Sequence, residues 1–349
     1  MAVTFAWSFG QETAVQLEQL GWTMTNGTGA SDVAPNNTYQ WKAASGLANY
    51  SLACSWHKSA SPPLAFRPST AQGSIQAAIR LPPGISAGSY PWALFVWDQG
   101  SNTWSAVQIS VAGAVLLYVD SVWKSTSAST YAFDAGFQVV TLFYDHRADP
   151  WKARCEVNGV ESNAEATDAR AASLPANIEP QIRGFAGTLQ TSYGMVVLRD
   201  TYAEAAPHDR YCTRIGVDAD VSTVGTWALT GAASNHAATG TDPFDDAKYA
   251  EEGTPSVGDE IVCGYSADLG TKLGFSPSTI DLLQVHSFSE GAGLGCAATI
   301  GDGSSTTTGS TAAISAGTSP AGVVSTTKPS GGAWTGSATP RPGFKVITT

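Results

Sequence analysis

The chain has 349 residues, of which 13% are charged and 43% are hydrophobic, a balance that excludes a disordered polypeptide and allows a sizeable buried core. Its 18 basic and 29 acidic residues give a formal net charge of −11, and the basic residues form no run that could follow a phosphate backbone, so we expect no nucleic-acid partner. No window approaches the ~20 apolar residues that span a bilayer, and the start of the chain has neither a basic leader nor an apolar signal stretch, so we expect no membrane span and synthesis in a cytoplasm.

Short strands dominate the first part of the chain, because β-branched and aromatic residues alternate between turns rich in Gly, Pro, Asn and Asp. The strand candidates are residues 74–80, 90–97, 104–111, 137–144, 151–157 and 193–199. The apolar stretch 114–123 precedes a Ser/Thr-rich segment that we expect to be a loop. Asn158-Gly159 tolerates the positive φ angles of a two-residue turn and predicts a tight hairpin. Helical periodicity is weak, and its best candidate is a short helix over 11–20.

A polar segment separates this region from the rest of the chain. Pro207 has no place in a central strand, so we place a domain boundary near residues 201–208 and predict domains 1–204 and 205–349. The second domain is richer in Gly, Ser and Thr, and its strand candidates are residues 209–217, 225–229, 260–265, 280–288, 295–300 and 322–326. The low-complexity run 301–311 predicts an exposed loop. The patterns together predict an all-β chain.

Nucleophilic and metal chemistry lack their usual spacings. The Gly-x-Ser-x-Gly turn is absent, and no two of the five histidines share a ligand spacing, so structural or exposed histidines are favoured. The cysteines form no Cys-x-x-Cys pair, which favours buried free thiols over a disulfide framework or a zinc site. They are Cys54, Cys155, Cys212, Cys263 and Cys296. We therefore predict no catalytic residues and expect that the chain is not an enzyme.

Carboxylates offer two weaker alternatives. Glu156 and Glu161 flank the predicted Asn158-Gly159 turn; they are either solvated hairpin flanks or the two carboxylates of a glycosidase. Asp218 opens a run like a calcium loop, but Thr223 stands where that loop needs glycine, so it is not an EF-hand. An acidic cluster is either a solvated loop or a site for a hard cation such as Ca²⁺. Its members are Asp242, Asp245, Asp246, Glu251 and Glu252. We expect no cofactor, with calcium left open.

Tryptophans are concentrated in the hairpins of the first domain, where flat aromatic faces could stack on a sugar or on a partner protein. Alternate strand positions point inward, so a part of this set must belong to the core. The candidate ligand-binding residues are Trp97, Trp104 and Trp123.

The first domain resembles a concanavalin A-like or laminin-G-like jelly roll. The resemblance covers roughly residues 1–204 and rests on the segments Phe5–Gly10, Leu20–Trp22, Val157–Val160 and Met195–Asp200. It implies an antiparallel jelly-roll sandwich.

The second part resembles a β-domain of tailed-bacteriophage structural proteins, through the Thr-x-Pro-x-Gly-Gly-x-Trp-Thr element at 327–335. Similar segments precede it at Asp209–Tyr211, Trp227, Asp246–Tyr249 and Leu283–His286. This resemblance implies a second β-sandwich domain in a virion component, assembled in the host cytoplasm and displayed on the particle.

Three hypotheses follow. The first is a non-enzymatic structural protein of the tail, neck or baseplate or a capsid decoration, which packs against other virion proteins and forms a homo-oligomer. The second is an adhesin that binds a host surface glycan through its tryptophans. The third, a glycan-degrading enzyme, rests on fold analogy alone.

Overall fold

The computed structural model describes the following segments of the chain. They are residues 3–8, 22–24, 34–42, 48–53, 56–58, 71–81, 92–98, 103–129, 131–133, 136–147, 149–169, 178–182, 192–202, 212, 215–239, 247–289, 294–314 and 319–348. The short helix expected over 11–20 lies outside them. Apart from residues 44–47, the chain up to Thr213 forms one compact unit and the chain from Arg214 forms a second. The boundary that the sequence predicts, at 201–208, precedes this division.

The strands of the first unit are β1 (Val3–Ser8), β2 (Trp22–Met24), β3 (Ala34–Lys42), β4 (Ala48–Ala53), β5 (Trp56–Lys58), β6 (Gln72–Arg80), β7 (Trp92–Asp98), β8 (Thr103–Ile109), β9 (Ala114–Val119), β10 (Val122–Ser129), β11 (Gln138–Asp145), β12 (Trp151–Val157), β13 (Val160–Asp168), β14 (Ile178–Ile182) and β15 (Ser192–Arg199). The second unit contains β16 (Ala219–Val224), β17 (Trp227–Thr230), β18 (Tyr249–Glu252), β19 (Glu260–Gly264), β20 (Leu283–Ser289), β21 (Leu294–Gly301), β22 (Thr306–Thr308), β23 (Ala312–Ile314), β24 (Ser319–Ser325) and β25 (Arg341–Thr348). Its helices are α1 (Asn235–Thr239) and α2 (Leu269–Leu273).

The first unit is an antiparallel sandwich of two sheets. Sheet A has the order β13-β12-β11-β6-β15-β4-β3, with β1 also paired to β15, and sheet B has the order β10-β9-β8-β7-β14-β5-β2. The chain crosses repeatedly between the sheets, as in jelly rolls. This confirms the all-β, antiparallel fold class.

The strand pattern explains where the core of this sandwich lies. In β9 the side chains of Val115, Leu117 and Val119 are fully buried, while the alternate positions are half-buried and face outward. Burial of each such apolar side chain stabilises the fold by about 1.5–3 kcal/mol. Strand β11 is buried on both faces over seven of its eight residues, as its continuous apolar run predicts.

The segment after the apolar stretch 114–123 is a strand, not the expected loop. Asp120 and Ser121 have φ angles of 49° and 64° and form a two-residue turn, from which β10 returns along β9. The Ser/Thr-rich composition predicts a loop, but the segment is an edge strand. Hydroxyl groups of its side chains form hydrogen bonds with the neighbouring strand. Ser127 Oγ, for example, accepts from Val115 N at 2.9 Å.

The Asn158-Gly159 hairpin is confirmed. The two residues have φ angles of 51° and 76° and join β12 to β13. The side chain of Asn158 accepts from Val139 N at 2.9 Å, so the turn is also tied to β11.

The second unit is built on a six-stranded antiparallel sheet, sheet C, with the order β16-β19-β25-β21-β22 and β23 also paired to β21. The pairs β17-β18 and β20-β24 form two small sheets. Leu269, Leu273 and Ile300 pack with the fully buried Trp334 in the main core of this unit.

Two predictions for this unit are wrong. Residues 215–217, the described end of the strand expected over 209–217, are not in a strand, because β16 begins at Ala219. The run 301–311 is not wholly a loop, because Thr306–Thr308 pairs with β21 as β22. Threonine favours strands, and a free edge of sheet C is available to it.

Candidate functional site

Three aromatic side chains lie together on the outer face of sheet B. They are Trp104 on β8, Tyr118 on β9 and Trp123 on β10, here called the aromatic row. Trp123 stands directly opposite Tyr118, and the ring centroids of Tyr118 and Trp104 are 5.3 Å apart with an interplanar angle of 46°. The register of three neighbouring strands therefore brings together residues that are up to 19 positions apart in sequence.

The outward direction of the row follows from the residue next to it. Ser105 is fully buried, and its hydroxyl lies 2.8 Å from Nε2 of His146, which directly follows β11 of the opposite sheet. Because successive strand residues point to opposite faces, Trp104 faces away from the core. Trp104 is half-buried, whereas Trp123 leaves 54% of its surface exposed.

The structure gives different results for the three predicted ligand-binding residues. The structure brings Trp104 and Trp123 into one row and adds Tyr118, which the sequence reasoning missed because it considered tryptophans alone. The backbone of Trp97 on β7 lies directly opposite Trp104, while the side chain of Trp97 lies outside the described residues. The alternation of β9, with Tyr118 among buried Val and Leu residues, is the signal that could have found the tyrosine.

Hydrogen bonds hold the aromatic row in place. The hydroxyl of Tyr118 donates to Gln108 Oε1 at 3.0 Å, and the indole N–H of Trp123 donates to Thr126 Oγ1 at 3.2 Å. At the β9–β10 turn, Ser121 N donates to Trp104 O at 2.7 Å. The side-chain bonds fix the orientation of the Tyr118 and Trp123 rings, and the backbone bond holds Trp104 next to the turn.

Strand β10, which carries Trp123, is also anchored to sheet A. Asn163 of β13 donates through Nδ2 to Val115 O at 3.1 Å and to Ser125 Oγ at 3.0 Å. Lys124 forms an ion pair with Asp168 of β13 at 2.5 Å. These contacts connect the two sheets at one edge of the sandwich. They hold β10, an edge strand, in place and thereby fix the position of the exposed indole.

The carboxylate pair Glu156 and Glu161 lies elsewhere, on sheet A. The two residues face each other across β12 and β13, and Glu161 is exposed, but Glu156 is only 3% exposed. The description of both residues as solvated hairpin flanks is therefore wrong for Glu156. Arg154 compensates the buried charge through an ion pair of 2.6 Å, and its guanidinium lies 3.7 Å from the ring centroid of Phe143.

The acidic residues of the calcium-like run have structural partners. Asp218 accepts from Lys272 Nζ and from the backbone and hydroxyl of Ser266, and these hydrogen bonds hold its pKa below the usual range. Asp220 binds the first turn of α1 through His236 N at 2.7 Å. Among the described residues, no group of three or more His, Cys, Asp and Glu side chains is arranged to hold a metal ion. Asp242, Asp245 and Asp246 lie outside the described part of the chain.

Glu251 and Glu252 of the same acidic cluster lie on β18. The carboxylate of Glu252 accepts from the backbone N–H groups of Thr226 and Thr254, so it stabilises the turn between β16 and β17.

Four cysteines fall in the described residues, and all four are free thiols, as expected. Cys155, Cys263 and Cys296 are buried, and Cys212 is half-buried. Burial raises the pKa of the Cys296 thiol to about 11, so it stays protonated at neutral pH. Cys54 lies outside the described residues.

The Thr327–Thr335 element, which carries the resemblance of the second domain, forms a tight hairpin. Thr327 bridges to Ala333, and Lys328 N donates to Gly332 O at 2.9 Å. The hairpin places Trp334 in the core with no exposed surface, where its N–H donates to Ser325 Oγ at 3.2 Å. Through these contacts the element stabilises the core of the second unit.

No family model and no curated protein sequence matches the chain. Among solved structures, the chain is similar to the CBM40 of the Ruminococcus gnavus IT-sialidase bound to alpha2,3 sialyllactose, with 16% identity and a TM-score of 0.30 over 44% of this chain and 88% of that one. It is also similar to a prokaryotic beta-1,3-1,4-glucanase from a mouse hindgut metagenome, with 14% identity and a TM-score of 0.33 over 56% and 97%. A conserved carbohydrate esterase of Shiga toxin-encoding bacteriophage phi24B matches with 13% identity and a TM-score of 0.34 over 57% and 99%.

In the part of the chain that the structure describes, no helix is long and apolar enough to cross a bilayer. The geometry thus establishes an all-β protein whose first unit is a jelly-roll-type sandwich that presents an ordered aromatic row.

Proposed function

We propose that the protein is a non-catalytic glycan-binding protein, and that the aromatic row of its first sandwich is the binding surface. The observation that carries the proposal is Trp123, whose side chain is 54% exposed although its N–H is already bonded to Thr126. Holding a large apolar ring at the surface costs solvation free energy, and stacking on the apolar face of a sugar ring recovers it.

The dimensions of the row favour a short oligosaccharide. It crosses three neighbouring strands, which are spaced by about 4.8 Å, so it extends over about 10 Å. A stable protein interface needs about 800 Å² on each partner, far more than three partly exposed rings provide. Gln108, whose side chain bonds Tyr118, adds an amide next to the rings that can select among sugar hydroxyls.

We further propose that this binding serves a tailed-phage particle, as a displayed structural component that contacts host surface glycans. The support is the resemblance carried by the Thr327–Thr335 element and by the first domain. Glu156, one of the two carboxylates of the glycosidase alternative, is buried and paired with Arg154, which supports a binding role over a hydrolytic one.

A glycan array probed with the full chain tests the proposal, in the presence of Ca²⁺ and again with a chelator. We expect binding to a restricted set of oligosaccharides without their cleavage, and Trp123→Ala should lower the signal about tenfold, as the loss of one stacked aromatic ring predicts. Val122→Ala is the matched control, because Val122 is the exposed neighbour of Trp123 on the same strand. Equal binding by both variants, or no binding to any glycan, would contradict the proposed function.

A further inference from the structure

A polar groove lies in the second unit, on the outer face of sheet C. Its volume is about 210 Å³, and side chains from β16, β19, β21, β22 and β25 line it. Drug-sized pockets measure roughly 300–1,000 Å³, so this groove suits a smaller ligand. The residues that decide its chemistry are Ser222, Glu260, Thr299, Gly301, Thr306 and Arg341, here called the hydroxyl groove.

Glycines keep side chains out of this part of sheet C. Gly301 lines the groove, and a Cβ there would lie 3.2 Å from Thr306 Oγ1. Gly343 of β25 pairs with Thr299 and Val262, which both line the groove, and a Cβ there would lie 2.5 Å from Thr299 Oγ1. Larger residues would fill the depression. Thr299 itself is buried, and the exposed hydroxyl groups of the groove belong to Ser222, Ser304, Ser305 and Thr306.

Arg341 supplies the positive charge of the groove. Its guanidinium packs against Gly303, where a Cβ would lie 3.2 Å from Nη2. Among the residues that the structure describes, none forms a hydrogen bond or an ion pair with this guanidinium. Arg341 is also the only cationic residue in the lining, so the groove has one fork of donors for a carboxylate or a similar anion.

The opposite end of the groove carries an acceptor. Glu260 pairs in register with Lys345, four residues from Arg341 along β25, which corresponds to about 14 Å of strand. The carboxylate of Glu260 accepts from Thr299 Oγ1 at 3.4 Å and lies 3.9 Å from Lys345 Nζ, and 19% of its side chain is exposed. Its charge repels an anion, but its oxygen atoms are able to accept hydrogen bonds from hydroxyl groups.

The rim of the groove is ordered by another carboxylate. Asp302 accepts from Ser304 N at 2.9 Å, Ser305 N at 3.0 Å and Ser330 N at 2.9 Å. These backbone donors are therefore not available to an anionic ligand, and recognition of the anion falls to Arg341. The bonded turn holds Ser304 and Ser305 in place beside Gly303.

We propose that the hydroxyl groove is a second binding site, for a hydroxylated organic anion of the size of one acidic monosaccharide. The carboxylate of the ligand pairs with Arg341, and its hydroxyls bond Glu260 and the serine and threonine side chains between them. This site goes beyond the proposed function, because it belongs to the other unit and selects for charge, whereas the aromatic row selects for a flat apolar face.

Calorimetric titration of the full chain with matched methyl glycosides tests the site. The methyl glycosides of glucuronic and galacturonic acid are compared with those of glucose and galactose, which differ from them by the carboxylate. We expect at least one uronide to bind about tenfold more tightly than its neutral partner, as a hydrogen-bonded charge pair predicts. Arg341→Gln should abolish this preference, since glutamine keeps the polar stem and removes the charge.

Lys152→Gln is the control, since it removes an exposed positive charge from a residue of the first unit that does not line the groove; it should change the affinity by less than about twofold. Trp123→Ala should leave uronide binding intact, so failure of the aromatic row and failure of this site are separable. Uronides that do not bind, or that bind no better than neutral glycosides, would overturn the proposal. So would an unaffected Arg341→Gln variant, or inorganic phosphate that binds as tightly as the uronide.

Discussion

The imidazole of His146 lies flat on the indole of Trp151, with ring centroids 3.8 Å apart and an interplanar angle of 5°. Both residues are buried in the first sandwich, and Nε2 of His146 lies 2.8 Å from the hydroxyl of Ser105 in the opposite sheet. Ser105 follows Trp104 on β8, so this hydrogen bond connects the two sheets behind the aromatic row, and the stack on Trp151 holds the imidazole in place. From the sequence, His146 was predicted to be either structural or exposed. In the structure it is buried and connects the two sheets through its hydrogen bond to Ser105.

Replacement of His146 by alanine should lower the free energy of unfolding by about 2–4 kcal/mol, because it leaves a cavity against Trp151 and removes a buried hydrogen bond. Urea denaturation followed by tryptophan fluorescence measures the loss. Arg147→Ala is the control: its side chain is 55% exposed and its ion pair with Asp145 is worth less than about 1 kcal/mol. Similar losses in the two variants would contradict this role of His146.

Tyr131 forms a second buried tie, and Tyr131→Phe should cost about 1–3 kcal/mol. Its hydroxyl donates to Ile79 O at 3.0 Å and accepts from Leu81 N at 2.9 Å, so phenylalanine leaves two buried backbone groups of β6 and its end without a partner. Urea denaturation at neutral pH checks this loss. A variant as stable as the parent chain would show that the two groups find other partners.

The same tyrosine predicts a pH dependence. Burial raises the pKa of Tyr131 to about 12, above the usual value of about 10. Because the folded-state pKa is raised, the stabilisation is fully present below pH 10 and is lost as the pH rises from 10 to 12. The stability difference between the parent chain and Tyr131→Phe should therefore shrink over this window, as urea titrations at successive pH values would reveal. A constant difference would refute the assignment.

Asp302→Asn should remove a stabilisation that depends on pH in the opposite direction. Hydrogen bonds from Ser330, Ser304 and Ser305 hold the pKa of Asp302 well below its usual range. With a depressed folded-state pKa, the carboxylate stabilises the fold above about pH 3.9 and loses this effect as the pH falls further. The variant should melt at a lower temperature than the parent at pH 7, and the two should converge at acidic pH. Melting curves that stay equally far apart at every pH would argue against this.

Substitution of a buried and of an exposed tryptophan by alanine should have different effects on stability. Trp334→Ala should destabilise the second unit by about 3–5 kcal/mol, because Trp334 is fully buried and bonded to Ser325. Trp123→Ala, at an exposed position of the first unit, should change stability by less than about 1 kcal/mol. Thermal unfolding measures both effects. A mild effect of Trp334→Ala would show that the Thr327–Thr335 element does not determine the fold.

Much of the fold was predictable from local patterns. Strand β12 coincides with the candidate 151–157, and β11 and β21 lie within one residue of their candidates, because continuous apolar or alternating segments leave little choice of structure. The errors fall on polar strands. Segments such as 124–129 and 306–308 are rich in serine and threonine, and they become strands because a sheet edge nearby satisfies their backbone groups.

The site was predictable only in part. Trp104 and Trp123 were identified by residue type, while Tyr118 and the hydroxyl groove depend on register, which places residues of separate strands side by side. The burial of Glu156 was also not predictable from its position in the sequence. Its position beside a turn suggests a solvated carboxylate, yet it is buried and paired with Arg154.

The sequence by itself determined the all-β class, the Asn158-Gly159 turn and free, mostly buried cysteines in the described residues, because these features depend on a few neighbouring residues or on composition. Only the tertiary structure decided which tryptophans are core and which are surface. Trp151 and Trp334 are buried, whereas Trp123 is exposed, although each of the three follows an apolar residue and precedes a polar one in the sequence. The physical reason is that the exposure of a strand residue is set by the face it occupies and by what packs on that face.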